Sequence, residues 1–275
     1  MFLWVTVVLL GIVEGVTEFL PVSSTGHLIL TGHLLGFTGE KADCFEVFIQ
    51  FGAILAVVWL FRDRFRALIP GKEKSSGAAP AGFPGFAGWH GLFLLAVVTA
   101  PGVVFGKLLH HTIKAHLFTP LTVAVGLGVG GLFILIVERF GPKARFTKVD
   151  EVTWVHALCI GFFQCLALWP GMSRASSTML GGMLLGYDRK TSAEFSFLAA
   201  VPLITAAAFY DLYKNLPLLH AEDAGIFALG FLVSLLAAWA AVRFFLRYLA
   251  KHTLSVFGYY RIILALVAWW VFSRG

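Results

Sequence analysis

Apolar residues fall in long continuous blocks along the chain and do not alternate with polar ones at period two. This is the pattern of membrane helices, not of a barrel. Ten apolar stretches stand out, approximately 1–20, 24–37, 44–61, 91–109, 120–137, 153–169, 176–187, 195–210, 224–242 and 256–272. A spanning helix needs roughly 17–25 apolar residues. The second and seventh stretches are too short for that, and each follows a polar turn containing Gly, Ser or Pro. Non-helical backbone at membrane depth survives only where protein buries it or it lines a cavity. The pattern therefore predicts an all-α polytopic membrane protein. Stretches 1–2 and 6–7 form two re-entrant helical hairpins, and stretches 3, 4, 5, 8, 9 and 10 are six spanning helices.

An internal repeat points the same way. Shifting the chain by 150 residues lays 11–60 on 161–210 without a gap, pairing Gly11 with Gly161, Ser23 with Ser173 and Phe45 with Phe195. The clearest block is GHLLGF (32–37) against GMLLGY (182–187). In the same alignment Glu14 falls on Gln164 and Ser24 on Arg174. Three spans between the copies give them opposite orientation, and inverted repeats place a site at their interface near the midplane. One membrane domain over 1–275 is expected, with repeat 1 at about 1–137, repeat 2 at about 153–272 and a Gly/Pro/Ala-rich cytoplasmic loop within 62–90.

Composition narrows the class further. Of 275 residues, 59% are hydrophobic and 13% charged, and mean hydropathy is +0.85. A soluble domain carries about 25% charged residues, so a soluble enzyme, a disordered chain and a disulfide scaffold are excluded. The net charge of +6 is read as basic residues gathered in cytoplasmic loops, not as a nucleic-acid footprint. Arg62, Arg64, Arg66, Lys72, Lys74, Arg139, Lys143, Arg145, Lys148, Arg189, Lys190, Arg243, Arg247 and Lys251 fall on one side of the predicted topology. Only Lys41, Lys107, Lys114, Lys214 and Arg274 fall on the other. The richer side is then cytoplasmic and both termini face outward. The first hairpin dips in from outside and the second from the cytoplasm. No cleaved signal peptide is expected, because the first apolar stretch has no basic flank and carries Glu14 and Glu18. Cys44, Cys159 and Cys165 are read as packing residues.

Two polar constellations interrupt this apolar chain. The first is EGVTEFLPVSSTGH, from Glu14 to His27. Glu14 and Glu18 share a helix face at i, i+4. Two like charges inside a membrane need a metal, protons or a cationic partner. Pro21 and Gly26 open backbone amides beside Ser23, Ser24 and Thr25. The second constellation runs from Gln164 to Thr178 and contains Pro170, Gly171, Ser173 and Arg174. An intramembrane arginine marks a functional site by default, and its planar fork suits phosphate. Together the two loops describe an anion site with hydroxyls, an imidazole and an acid pair, an inventory suited to cleaving a phosphate ester or anhydride attached to something apolar. Of the remaining polar residues, His33 is read as packing. His110, His111 and His116 are placed in a short external loop. Glu46 and Gln50 are candidates to line the pocket, Asp211 and Arg261 are read as a helix-end pair, and Trp4, Trp59, Trp269 and Trp270 as an aromatic belt.

These motifs resemble the two signatures of the bacterial undecaprenyl-pyrophosphate phosphatases of the bacitracin-resistance type. The likeness extends through FEVFIQFGAILAVV (45–58), GFFQCLALWPGMSR (161–174), EFSFLAAVP (194–202) and DLYK (211–214). It implies that Glu14 and Glu18 are the family's paired acids, Ser24 and His27 its catalytic serine and histidine, and Arg174 its phosphate-binding arginine. Ser23, Thr25 and Ser173 match pocket hydroxyls, and Gly26, Gly171 and Gln164 complete the expected substrate-binding set. The sequence departs from the family just after the arginine, with Ala175 and Ser176 where Ser and Gly are usual. The resemblance implies removal of the terminal phosphate from a C55 polyprenyl pyrophosphate in the bacterial inner membrane. This recycles the carrier for cell-wall synthesis and confers bacitracin resistance. A divalent cation, Mg²⁺ or Ca²⁺, is expected on Glu14 and Glu18, with Ser24 attacking or positioning the attacking water and His27, oriented by Glu18, as base and then acid; direct attack by His27 is the third variant, and the sequence does not choose among them. The partners admitted are the lipid pyrophosphate, membrane lipid and a second copy of the chain, and nucleic acid is excluded. The rival reading is a polyprenyl-phosphate flippase or anion transporter built on the same repeat, though a carrier has no evident use for a serine–histidine pair.

Overall fold

The structure is a computed structural model that describes residues 2–71, 83 and 85–273. Lys72, Lys74 and Arg274, counted in the charge argument, and most of the Gly/Pro-rich loop lie outside the described residues, as do the side chains of His110 and Lys114. The described chain is helical: α1 (Phe2–Thr17), α2 (Ser24–Leu35), α3 (Glu40–Leu60), α4 (Arg62–Ala67), α5 (Gly88–His116), α6 (Pro120–Phe140), α7 (Trp154–Gln164), α8 (Arg174–Leu184), α9 (Arg189–Asn215), α10 (Ala224–Leu249) and α11 (Ser255–Phe272).

Six of these helices, α3, α5, α6, α9, α10 and α11, are long and apolar enough to cross a membrane. They are the six that the hydrophobic pattern predicts, and the molecule is a multi-pass membrane protein. Two expectations need correction. Helix α5 continues to His116, so His111 and His116 lie on helix and not in a loop. The chain stays helical past the apolar stretch until Thr119 and Pro120, where a capping box on Thr119 and Thr122 starts α6. The expected loop after Leu60 also begins with the short helix α4, which is amphipathic and invisible to an apolar-run criterion.

Four of the short helices, α1, α2, α7 and α8, form two corners. Helix α1 lies along α10, with Trp4 against Gly225, Gly11 against Gly230, and Gly15 against Ser234 and Ala238. It therefore ends beside the middle of a 26-residue helix. Helix α7 lies along α5, where Gly161 admits Pro101 and the Val98 carbonyl, and its end also reaches the middle of its long neighbour. Small residues permit both close approaches, the usual device for packing helices in lipid. At each corner the chain turns through a serine in left-handed backbone, Ser23 at φ 74° and Ser173 at φ 69°. Each serine caps the next helix, its Oγ accepting from the amide three residues on (Gly26 at 3.3 Å, Ser176 at 3.1 Å). Gly36 and Gly186, which end the two following helices, also have positive φ.

The basic end of the bundle is pinned by ion pairs. Arg64 chelates Asp150 at 2.8 and 3.0 Å, and Asp150 also accepts from the Phe86 amide. Glu138 at the end of α6 accepts from Arg189 of α9 at 2.8 Å and from the Leu254 amide ahead of α11 at 2.7 Å. Tyr187, between α8 and α9, donates to the Glu151 carbonyl at 2.9 Å. Burial pushes its phenol well up, so it remains a neutral donor.

Candidate active site

The two corners meet. Glu18 lies just past the end of α1, where its carboxylate accepts from the Ser24 hydroxyl on one oxygen and from Arg174 Nη2 on the other at 2.7 Å. The first residues of α2 and α8 are thus joined through one carboxylate. Arg174 also donates from Nη1 to the Ser196 carbonyl at 3.1 Å and lies 5.8 Å over the Phe19 ring. Its Nε is buried and, among the described residues, has no acceptor. Glu14, one turn before Glu18, is fully buried; neither of its oxygens meets a donor at hydrogen-bonding geometry among the described residues, and its carboxyl lies beside that of Glu18. Glu14 lies within electrostatic range of Glu18, Glu46 and Arg174. Of the metal, protons or cationic partner that the two acids require, the structure supplies the cationic partner to Glu18, in Arg174.

The loops are shaped by close approach. Gly171 has φ 98° and sits so near α6 that a Cβ there would lie 2.9 Å from the Leu127 amide and 3.1 Å from the Gly126 carbonyl carbon. Gly26 faces the Gly171 Cα across the gap. Trp169 fixes the second loop by donating to the Thr122 carbonyl at 3.0 Å. Ser23 and Ser173 serve as caps and are buried, and Thr25 is half-buried in the first turn of α2. With the Gly26 and Ser176 amides taken by the caps, the amides of Ser24 and Thr25 and of Arg174 and Ala175 are the first-turn donors without intrahelical partners, the kind of group that favours an anion.

Three sequence expectations change here. Gln164 does not join the cluster. It is buried against α5 and donates to the Val98 carbonyl at 3.3 Å, because α7 packs tightly there. Glu18 does not orient His27. The imidazole is held by the Ser23 carbonyl at Nδ1 (2.8 Å) and by the Tyr260 hydroxyl at Nε2 (2.7 Å). Arg261 is not paired with Asp211. It is fully buried, and its guanidinium donates to the carbonyls of Gly171 (2.7 Å), Met172 (3.0 Å), Pro21 (3.3 Å) and Gly126 (3.4 Å). It therefore ties both loops to α6. Gly130 and Gly131 of α6 leave room for its side chain. Tyr260 and Arg261 are the members of the site that sequence reasoning missed. An arginine inside the last apolar stretch was the available signal. Its carbonyl partners leave no mark in a sequence.

Of the acid pair expected to hold the cation, Glu14 is the candidate, because Ser24 and Arg174 engage both oxygens of Glu18. Among the described residues, no group of three His, Cys, Asp or Glu side chains forms a metal cluster. One or two carboxylates, with the rest of the shell from substrate oxygens and water, is a common arrangement for Mg²⁺. The oxygens of Glu14, which meet no donor, fit that role.

The model of the family described as bacitracin resistance protein BacA matches residues 7–267. Curated relatives carry the name undecaprenyl-diphosphatase. The protein of Maridesulfovibrio salexigens is 55% identical over 94% of this chain and 95% of its own length. The protein of Nitratidesulfovibrio vulgaris strain Hildenborough is 52% identical over 95% of each. That of Aromatoleum aromaticum is 47% identical over 96% of this chain and 93% of its own.

Proposed function

Since the chain belongs to the bacitracin resistance protein BacA family, we propose that it hydrolyses undecaprenyl diphosphate to undecaprenyl phosphate and inorganic phosphate. The observation that carries the reading is one buried space in which Arg174 has a guanidinium N–H without an acceptor and the carboxyl groups of Glu14 and Glu18 lie side by side. An unmet buried donor costs about 1–3 kcal/mol, and two neighbouring buried carboxylates repel. An anion bearing its own cation satisfies both, and a diphosphate with a divalent ion is such a ligand.

In this reading Arg174 and the first-turn amides of α2 and α8 hold the diphosphate. Glu14 would hold Mg²⁺ or Ca²⁺, both oxygens of Glu18 being engaged by Ser24 and Arg174; when bound, the ion neutralises phosphate charge and polarises a P–O bond. Ser24 attacks the terminal phosphorus. The bond from that phosphorus to the bridging oxygen breaks, lipid monophosphate leaves, and the serine proton passes to Glu18, its hydrogen-bond partner. Neutralising Glu18 weakens its hold on Arg174 and frees the guanidinium for charge building on the phosphoryl oxygens. Water then cleaves the phosphoserine: its oxygen bonds to phosphorus as the bond to Ser24 Oγ breaks, Glu18 returns the proton to Oγ, and the proton lost by the water leaves with the inorganic phosphate. His27 touches neither Ser24 nor Glu18, so it takes no part in the first proton transfer.

In the bilayer, the α1–α2 and α7–α8 corners are read as re-entrant hairpins of an inverted repeat entering from opposite faces. Their ends at mid-height of α10 and α5, and the matching backbone of Ser23 and Ser173, support this. The bacterial inner membrane is the proposed location, and bacitracin resistance follows from regenerating the monophosphate carrier. The test is release of inorganic phosphate by purified protein in detergent from undecaprenyl diphosphate. Ser24→Ala should abolish release. Full release by that variant together with loss in His27→Ala overturns serine attack. Binding without release by the unaltered protein favours the carrier reading.

A further inference from the structure

Both ring nitrogens of His27 are occupied. The Ser23 carbonyl only accepts, so Nδ1 carries a proton, and in the neutral ring Nε2 must then accept from the Tyr260 hydroxyl 2.7 Å away. No nitrogen is left open to a bound phosphate. The two rings are parallel to within 8°, with centroids 5.7 Å apart. Tyr260 is 43% exposed, and an exposed tyrosine side chain is ordinarily free to move. Here its backbone is fixed by the next residue, Arg261, whose bonds to Pro21, Gly171 and Met172 lock α11 against both site loops. The phenol is thus anchored to the same frame as Ser23 and Ser24.

Resting on the phosphatase reading above, we propose that Tyr260 is a catalytic proton relay through which His27 acts. A hydroxyl both donates and accepts, so it stays bonded to Nε2 in either charge state of the imidazole. When a water or phosphate hydroxyl gives a proton to the Tyr260 oxygen, the phenol hydrogen passes to Nε2. One O–H bond breaks, one N–H bond forms, and the phenol is unchanged. The reverse transfer returns the proton to a phosphate oxygen. This explains a histidine that lies in the site without touching the attacking serine. An aromatic residue merely anchoring α11 in the interfacial belt would need the ring and not the hydroxyl.

Tyr260→Phe removes the hydroxyl and keeps the ring. We expect phosphate release to show kcat lower by about tenfold, a fraction of what proton transfer contributes, with KM within about twofold and an unchanged melting temperature in detergent. In a His27→Gln background the same substitution should change kcat by less than about twofold. A Tyr260→Phe enzyme within about twofold of the unaltered protein, or an equal loss in both backgrounds, overturns the proposal. A second readout does not depend on turnover. In protein labelled with ¹⁵N-histidine, the His27 resonances, assigned by their absence in His27→Gln, should show the Nε2 signal moving in Tyr260→Phe. An unmoved signal also overturns it. Should the unaltered protein release no phosphate, the phosphatase reading fails, while the resonance still decides whether Tyr260 holds His27.

Discussion

Glu18 is a single carboxylate between a hydroxyl and a guanidinium, and each of its oxygens has a separate partner. Glu18→Gln separates its two duties. The amide oxygen still accepts from Arg174, but a neutral amide cannot take the serine proton. The expected result is KM within a few-fold of normal and kcat lower by about 10²–10⁴, the range for general-base catalysis, read from steady-state phosphate release. Arg174→Lys should act on the other term. An ammonium lacks the fork and the unpartnered Nε, so KM should rise by about tenfold, roughly the worth of one charge-assisted hydrogen bond. These residues were legible because their signals are local. Glu14 and Glu18 share a helix face, and Ser24 and Arg174 each follow a helix-breaking turn. The wiring was not legible. The partner of His27 is 233 residues away on α11, and spacing along the chain says nothing of such a contact.

At the scale of elements, the site is a meeting of helix ends held from behind by one side chain. Arg261 binds carbonyls on both corners and on α6, all of them buried. Replacing it by Leu orphans several acceptors at about 1–3 kcal/mol each. Arg261→Leu should therefore melt well below the unaltered protein in detergent and lose phosphate release. Gly130→Ala provides the independent check, because a Cβ there would overlap the guanidinium. With Arg261 intact but displaced, activity should fall in the same direction with a smaller loss of melting temperature. A Gly130→Ala protein with full activity would mean that the guanidinium need not sit where it does. The long helices were readable from apolar length alone, and the caps Ser23, Thr119, Thr153 and Ser173 mark starts by their own chemistry. The true end of α5 was not readable, because polarity does not stop a helix, whereas the Thr119–Pro120 step does.

Across the whole molecule, charge and apolar surface divide by height. Large apolar side chains are exposed along α5, α10 and α11, among them Phe93, Leu108, Leu236, Phe244, Leu266 and Trp270, a surface suited to lipid. The end that carries Arg64, Arg189 and Arg243 is cross-linked by the Arg64–Asp150 and Arg189–Glu138 pairs. The opposite end holds the Lys41–Asp223 pair. If the positive-inside bias orients the bundle, Lys143 faces the cytoplasm and His116 the outside. Both side chains are exposed. In a background with Cys44, Cys159 and Cys165 replaced by Ala, an impermeant thiol reagent added to intact cells should label His116→Cys and spare Lys143→Cys until the membrane is opened. The reverse pattern would invert the molecule. It would also place the glutamate-bearing corner on a cytoplasmic hairpin, and the lipid diphosphate would then have to be cleaved on that side. Sidedness is the one property of the site that contacts between residues do not determine, since the same bonds among Glu18, Ser24 and Arg174 hold in either orientation. It must come from charge distribution over the whole chain, and thiol labelling reads that distribution directly.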